Sequence, residues 1–153
     1  MKMFWYRLRV SIAGARLSHL AQKDRIWDHG SMTELVRIIF SLVLRTRSGG
    51  DMDLLKKQCS VSCFKKLSCE LDEINRTIPT PAETPVIKEI AIIDVQPGKN
   101  NKPDMFTALI KGVSKDTTKH NDYGSEFLAT YSFARQGEWW LLDEIKIKKF
   151  FQN

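Results

Sequence analysis

Three prolines within seven residues, Pro79, Pro81 and Pro85 in the segment Ile78-Pro-Thr-Pro-Ala-Glu-Thr-Pro85, forbid any helix from running through the middle of this chain. On either side of that break the hydrophobic pattern changes period. Before it, apolar residues recur at helical spacing; after it, they fall in runs bounded by turn residues. The break therefore separates a helical half from a strand half. With 153 residues in all, the two halves are expected to share one core, and the proline segment is a connector inside a single domain.

Residues 3–24 read as a helix. At 100° per residue, Lys2, Arg9, Arg16 and Lys23 line up on one stripe, with Phe4, Leu8, Ile12 and Ala15 beside it and Trp5 and Tyr6 at the free end. A basic stripe bordering an apolar one suits a helix that lies in a bilayer interface, its rings among the headgroups and its cations facing phosphate. A helix packed on its own domain with a solvated basic face has the same pattern. Residues 1–50 carry 9 Lys+Arg against 3 Asp+Glu, whereas the remainder carries 15 against 15, so the whole net charge of +6 belongs to the N-terminal third. The chain is therefore divided into a basic arm, 1–24, with 5 Lys+Arg against Asp24 alone, and a globular body, 25–153, that is nearly neutral at +2.

Ser31-Met-Thr-Glu34 reads as a capping box opening a second helix, whose apolar face comprises Leu35, Ile38, Ile39, Leu42 and Val43, extended by Val36, Phe40 and Leu44. Gly49-Gly50 ends it. Asp51 caps a short helix through Lys57, and a further helix over about 62–75 carries Phe64, Leu67, Leu71 and Ile74. Four strand-like runs follow: Val86–Gln96, Met105–Lys115, Ser125–Arg135 and Glu138–Ile147. Polar loops at 97–104 and 116–124, and a Gln136-Gly137 hairpin turn, predict an antiparallel meander. In the third run Phe127, Ala129, Tyr131 and Phe133 alternate with Glu126, Thr130 and Ser132, which puts the helices on one face of the sheet. Adjacent Trp139 and Trp140 point to opposite faces. The expected fold is α+β, N-terminal helices packed on a curved four-stranded antiparallel sheet.

Several chemistries lack their residues. Cys59, Cys63 and Cys69 make neither a disulfide framework nor, with His19, His29 and His120 at unrelated positions, a closed zinc set. Pro97-Gly98-Lys99 is a turn without the rest of a phosphate-binding loop, and no nucleophile elbow occurs. The sheet half is charge-neutral and its aromatics read as core, so no nucleic acid is expected as partner. Leu35–Leu44, the longest apolar stretch, is half of the roughly twenty residues that a membrane-spanning helix needs. Arg7 and Arg9 interrupt what would be the apolar core of a secretory signal, while the absence of acidic residues before Asp24 keeps a mitochondrial presequence open. No cofactor and no catalysis are expected. The competing reading is a small-molecule enzyme of isomerase or dehydratase type, with His120 or a strand carboxylate among Asp94, Glu126, Asp143 and Glu144 as base.

The order Arg25-Ile-Trp-Asp28, an apolar helix, Asp51-Met-Asp-Leu-Leu55, a second amphipathic helix, then Glu126-Phe-Leu-Ala-Thr-Tyr131-Ser-Phe-Ala-Arg135 and Gly137-Glu-Trp-Trp-Leu-Leu142-Asp-Glu-Ile145 resembles the inner-membrane translocase subunit 44-like domain, the C-terminal domain of the mitochondrial import-motor anchor and its bacterial relatives. The resemblance covers about residues 24–147 and is most specific over 126–145. It implies a nuclear transport factor 2-like cone enclosing a large apolar pocket, here assigned to Phe40, Phe106, Phe127, Tyr131 and Trp140. It also implies a non-catalytic role and peripheral attachment, through N-terminal helices, to anionic, cardiolipin-containing inner membranes. Lys2, Phe4, Trp5, Leu8, Arg9, Ile12, Arg16 and Lys23 are the candidates for contact with lipid or a membrane protein partner. The expected location is the cytoplasmic side of an inner membrane, or the mitochondrial matrix if the N-terminus is a presequence. The segment with which mitochondrial members engage chaperone and channel lies outside the resemblance, so no import role is carried over.

Overall fold

The computed structural model describes the backbone of residues 2–47, 49, 52–77, 83–116 and 125–149, and the side chains of 4–46, 49, 52–69, 86–113 and 126–147. The proline segment 78–82, Gly50, Asp51, the loop 117–124 with His120, and the side chains of Lys2, Leu71 and Ile74 lie outside the described residues. Among the described residues four helices, α1 (Lys2–Lys23), α2 (His29–Arg47), α3 (Met52–Gln58) and α4 (Val61–Thr77), precede four strands, β1 (Glu83–Gln96), β2 (Met105–Asp116), β3 (Ser125–Gln136) and β4 (Trp139–Lys149). The strands pair antiparallel in the order β1-β2-β3-β4, an open meander. The fold is α+β, as the change of period at the prolines implies.

Local chemistry accounts for the element ends, with three corrections to the sequence reading. Helix α2 starts at His29 rather than at Ser31. The Asp28 carboxylate accepts hydrogen bonds from the Ser31 amide (2.9 Å) and hydroxyl (2.7 Å), so Asp28 is the cap and Ser31 a residue of the first turn. Because Ser31 donates its own proton to Asp28, it has no role as the expected cap. The second correction is the β3–β4 hairpin, whose loop is Gly137-Glu138 between the paired Gln136 and Trp139. Gly137 has φ +63°, the positive value that the first position of a type II′ turn demands. Strand β1 also begins before Pro85; it is an edge strand, where a missing amide costs no ladder bond.

The main core lies between one sheet face and α2–α4. Val36, Ile39, Phe40 and Val43 of α2, Leu55 of α3, and Cys63 and Leu67 of α4 pack on Ile92, Phe106, Ile110, Tyr131, Phe133 and Leu142. Aromatic rings run through it: Phe106 stacks on Phe133 (4.8 Å) and meets Trp140 edge-on (4.8 Å), and Trp140 meets Trp27 at 5.1 Å. The Trp140 indole N–H donates to the Ile26 carbonyl at 3.2 Å, which ties the 3-10 turn Arg25–Trp27 to β4. The opposite sheet face is covered too, contrary to the one-sided packing expected. There α1 lays Tyr6 and Val10 on Ile93, Leu109 and Leu128, and farther along contributes Ala13 and Leu17 to the main core.

Candidate functional site

Helix α1 has two apolar faces. Tyr6, Val10, Ala13, Leu17 and Leu20 recur at three- and four-residue steps and pack inward. Roughly opposite on the wheel, Phe4, Trp5, Leu8 and Ile12 remain 72%, 65%, 43% and 47% exposed. Arg9, Arg16 and Lys23, all exposed, run along one border of that outer stripe, and Arg7 along the other. The sequence stripe of Phe4, Leu8 and Ile12 is thus the face the protein leaves uncovered. The helix is fixed in orientation at its C-terminal end, where Asp24 accepts a hydrogen bond from the Ile26 amide and pairs with Arg135 at 2.7 Å.

Arg135 joins three connections. Its guanidinium donates to Asp24 after α1, to Asp104 (3.0 Å) before β2, and through Nε to the Gly137 carbonyl (2.7 Å) in the β3–β4 turn. The Arg135 amide also donates to the Asp104 carbonyl at 2.8 Å. The guanidinium holds the Asp24 carboxyl below its usual range, and the Ser31 hydroxyl does the same for Asp28. Arg135 is raised in turn, chiefly by Asp24.

The five residues assigned to an apolar pocket, Phe40, Phe106, Phe127, Tyr131 and Trp140, are all buried. They pack ring against ring, Phe40 stacking on Phe127 at 6.0 Å and lying 5.9 Å from Tyr131. Of the five, Trp140 also lines a surface groove of about 640 Å³ between α2 and β4, together with exposed Ile38 and Trp139 and the acidic Asp28, Glu34 and Glu138. Ile38 is therefore not part of the buried face of α2. Trp139 is not covered by α1; its indole donates to Gln58 of α3 at 2.9 Å.

Two further grooves flank α1 on the outer sheet face. One, about 660 Å³, has a floor of Val10, Ala91, Leu109 and Leu128 and a rim of Arg7, Lys111, Glu89 and Glu126. The other, about 270 Å³, is lined by Tyr6, Arg9, Thr107, Thr130, Ser132 and Lys146 over Ile93, Leu109 and Leu128. Sequence reasoning did not single out Leu109, Leu128 or this polar cluster. The signal was present: an apolar residue on the side of β3 otherwise occupied by Glu126, Thr130 and Ser132 implies a cover on that side.

The strand carboxylates considered as bases are dispersed. Asp94 accepts from Gln96 at 2.9 Å, Glu126 stands on the groove rim, Asp143 occupies a bulge of β4, and Glu144 lies 3.7 Å from Lys146. Cys59 and Cys63 are buried together; the neighbouring thiol and burial push Cys59 far above its ordinary pKa, which keeps it a protonated, inert packing group. Among the described residues no His, Cys, Asp and Glu gather as a metal set, and no helix is long and apolar enough to cross a membrane.

No family model and no curated protein matches the chain. Among solved structures, the intermembrane space region of the chloroplast protein ARC6 is similar over 77% of this chain and 97% of that one, with 10% sequence identity and a TM-score of 0.46.

Proposed function

We propose that this protein is a non-enzymatic, membrane-peripheral binding module that attaches to anionic lipid through α1 and presents its globular body to a membrane protein partner or apolar ligand. One observation carries the reading: the stripe Phe4, Trp5, Leu8 and Ile12 is bare on a helix whose other face is locked onto the sheet. A helix held this way offers its rings to an interface without unfolding or swinging out. Arg7, Arg9, Arg16 and Lys23 border the stripe, and each cation near an anionic surface adds on the order of 1 kcal/mol. Four such contributions give reversible attachment that salt screens within a Debye length. Membership of the translocase subunit 44-like family, with its nuclear transport factor 2-like cone, belongs to the same proposal and rests on residues 126–145.

Co-sedimentation with phosphatidylcholine vesicles, with and without anionic lipid, at low and high salt, tests the reading on the intact chain. Binding is expected only to anionic vesicles, weaker at high salt, and lost in the double variant Trp5→Ser, Leu8→Ser with no fall in melting temperature, since both side chains are exposed. An intact chain that ignores anionic vesicles would end the proposal.

A further inference from the structure

The two grooves beside α1 are neighbours that share Tyr6, Leu109 and Leu128 in their linings, yet their chemistries differ. The larger has an apolar floor. The smaller is walled by hydroxyls and cations, and no carboxylate lines it. Sheet register builds that wall: Thr107 stands opposite Ser132, and Thr130 opposite Lys146, so three hydroxyls and an ammonium occupy neighbouring positions on one face. Thr107 and Ser132 share a hydrogen bond of 3.1 Å. The hydroxyls of Thr130 and Tyr6 make no hydrogen bond, and Arg9 no ion pair, among the described residues. Lys146 is engaged only loosely, 3.7 Å from Glu144, with both side chains well exposed.

We propose that the smaller groove binds a phosphomonoester, with Arg9 and Lys146 as counterions and the hydroxyls of Tyr6, Thr107, Thr130 and Ser132 as hydrogen-bond donors, while the larger groove takes an acyl chain of the same molecule. Phosphate fits this set better than carboxylate does. A monoester carries about −1.5 to −2 charges at neutral pH and three acceptor oxygens, which matches two cations and several donors. The volume of about 270 Å³ holds that group with bridging water. The neighbouring groove, lined by Val10, Ala91, Leu109 and Leu128 and sharing both leucines and Tyr6 with the smaller one, selects a lipid as the source of the phosphate. Arg9 belongs both to this groove and to the border of the bare stripe, so the site opens beside the face proposed to meet the bilayer. The lipid source rests on the anchor reading above; the phosphate chemistry does not.

The test titrates the full chain with glycerol 3-phosphate and, separately, with dihexanoyl phosphatidate below its micelle concentration. Amide shifts of residues 107, 130, 132 and 146 are followed by NMR, and affinity by calorimetry. Both probes are expected to move those amides, the phosphatidate binding at least about tenfold more tightly, or about 1.4 kcal/mol. Lys146→Gln and Thr130→Val are each expected to weaken both probes several-fold without lowering the melting temperature. If neither probe moves these amides, the site does not exist, whatever vesicles show. Equal affinity for the two probes would overturn the acyl-chain part and leave a site for soluble phosphate esters. Vesicle binding measured beside them keeps the readings apart: loss in Trp5→Ser, Leu8→Ser with the glycerol phosphate titration intact concerns the anchor, and the reverse pattern in Lys146→Gln concerns this site.

Discussion

Arg135 holds together parts of the chain that are far apart in sequence, and its surroundings set a pH dependence whose sign is fixed. Asp24, paired with Arg135, and Asp28, bonded to Ser31, both have folded pKa values below the ordinary 3.8. The unfolded chain therefore binds protons first as the medium is acidified, so their contribution is complete above about pH 4 and is lost as pH falls through the folded values. Arg135 is shifted upward, chiefly by Asp24, so it stays charged in both states and its share does not vary across the acid range. Thermal melts between about pH 7 and pH 3 are expected to show a falling midpoint at the acid end, and Asp24→Asn a shallower fall from a lower starting value. Arg135→Gln should behave as Asp24→Asn does and also loosen the turn, because Asp104 and the Gly137 carbonyl lose the same donor. An unchanged acid limb in both variants would remove Arg135 as the lock on α1.

Glycine positions and strand phase decide how the elements pack, and they also mark what the sequence did and did not disclose. In β3 the inward set Phe127, Ala129, Tyr131 and Phe133 keeps strict alternation, and the strand was legible from it. In β1 the inward residues are Ile87, then Ile90 and Ile92, then Val95: the register slips at Lys88 and Ile93 each shift the phase by one residue. Alternation therefore could not be read there, although the strand itself could. Asp143 does the same in β4, between Leu142 and Ile145. Competing local signals also hid the true start of α2, because a Ser-x-x-Glu pattern and an Asp cap three residues earlier are equally good in sequence, and the Asp28 bonds decide between them. Two substitutions check the packing. A β-carbon at Gly14 of α1 meets nothing within 4 Å, so Gly14→Ala is expected to stabilise by roughly 1 kcal/mol through helix propensity. At Gly112 it would come within 2.6 Å of the Phe127 ring and also meet the Val86 carbonyl, so Gly112→Ala should cost about 1–3 kcal/mol. Urea unfolding of the two variants gives opposite signs if the packing of α1 and of β2 against β3 is as described.

At the scale of the whole molecule, the basic N-terminal segment is both the proposed anchor and a structural cover, and the two roles predict different outcomes for deletion and substitution. The charge asymmetry and the outer stripe of α1 were legible because they need only a helical wheel. The inner stripe was not, because Tyr6, Val10, Ala13 and Leu17 gain meaning only when Ile93, Leu109 and Leu128 are known to share a sheet face. A chain beginning at Asp24 would lose the burial of these α1 side chains and uncover that second cluster. At about 1.5–3 kcal/mol for each large apolar side chain returned to water, the loss is on the order of 5 kcal/mol, comparable to the entire stability of many domains. Such a chain is expected to bind hydrophobic dye, melt at markedly lower temperature and self-associate, so its failure to bind vesicles would not separate anchoring from folding. Trp5→Ser, Leu8→Ser removes the outer stripe and keeps the inner one, so it is expected to melt like the parent and lose only the membrane. Equal melting of the shortened and the parent chain would show that α1 contributes nothing to the core, and the packing of Ala13 and Leu17 described above would then be wrong.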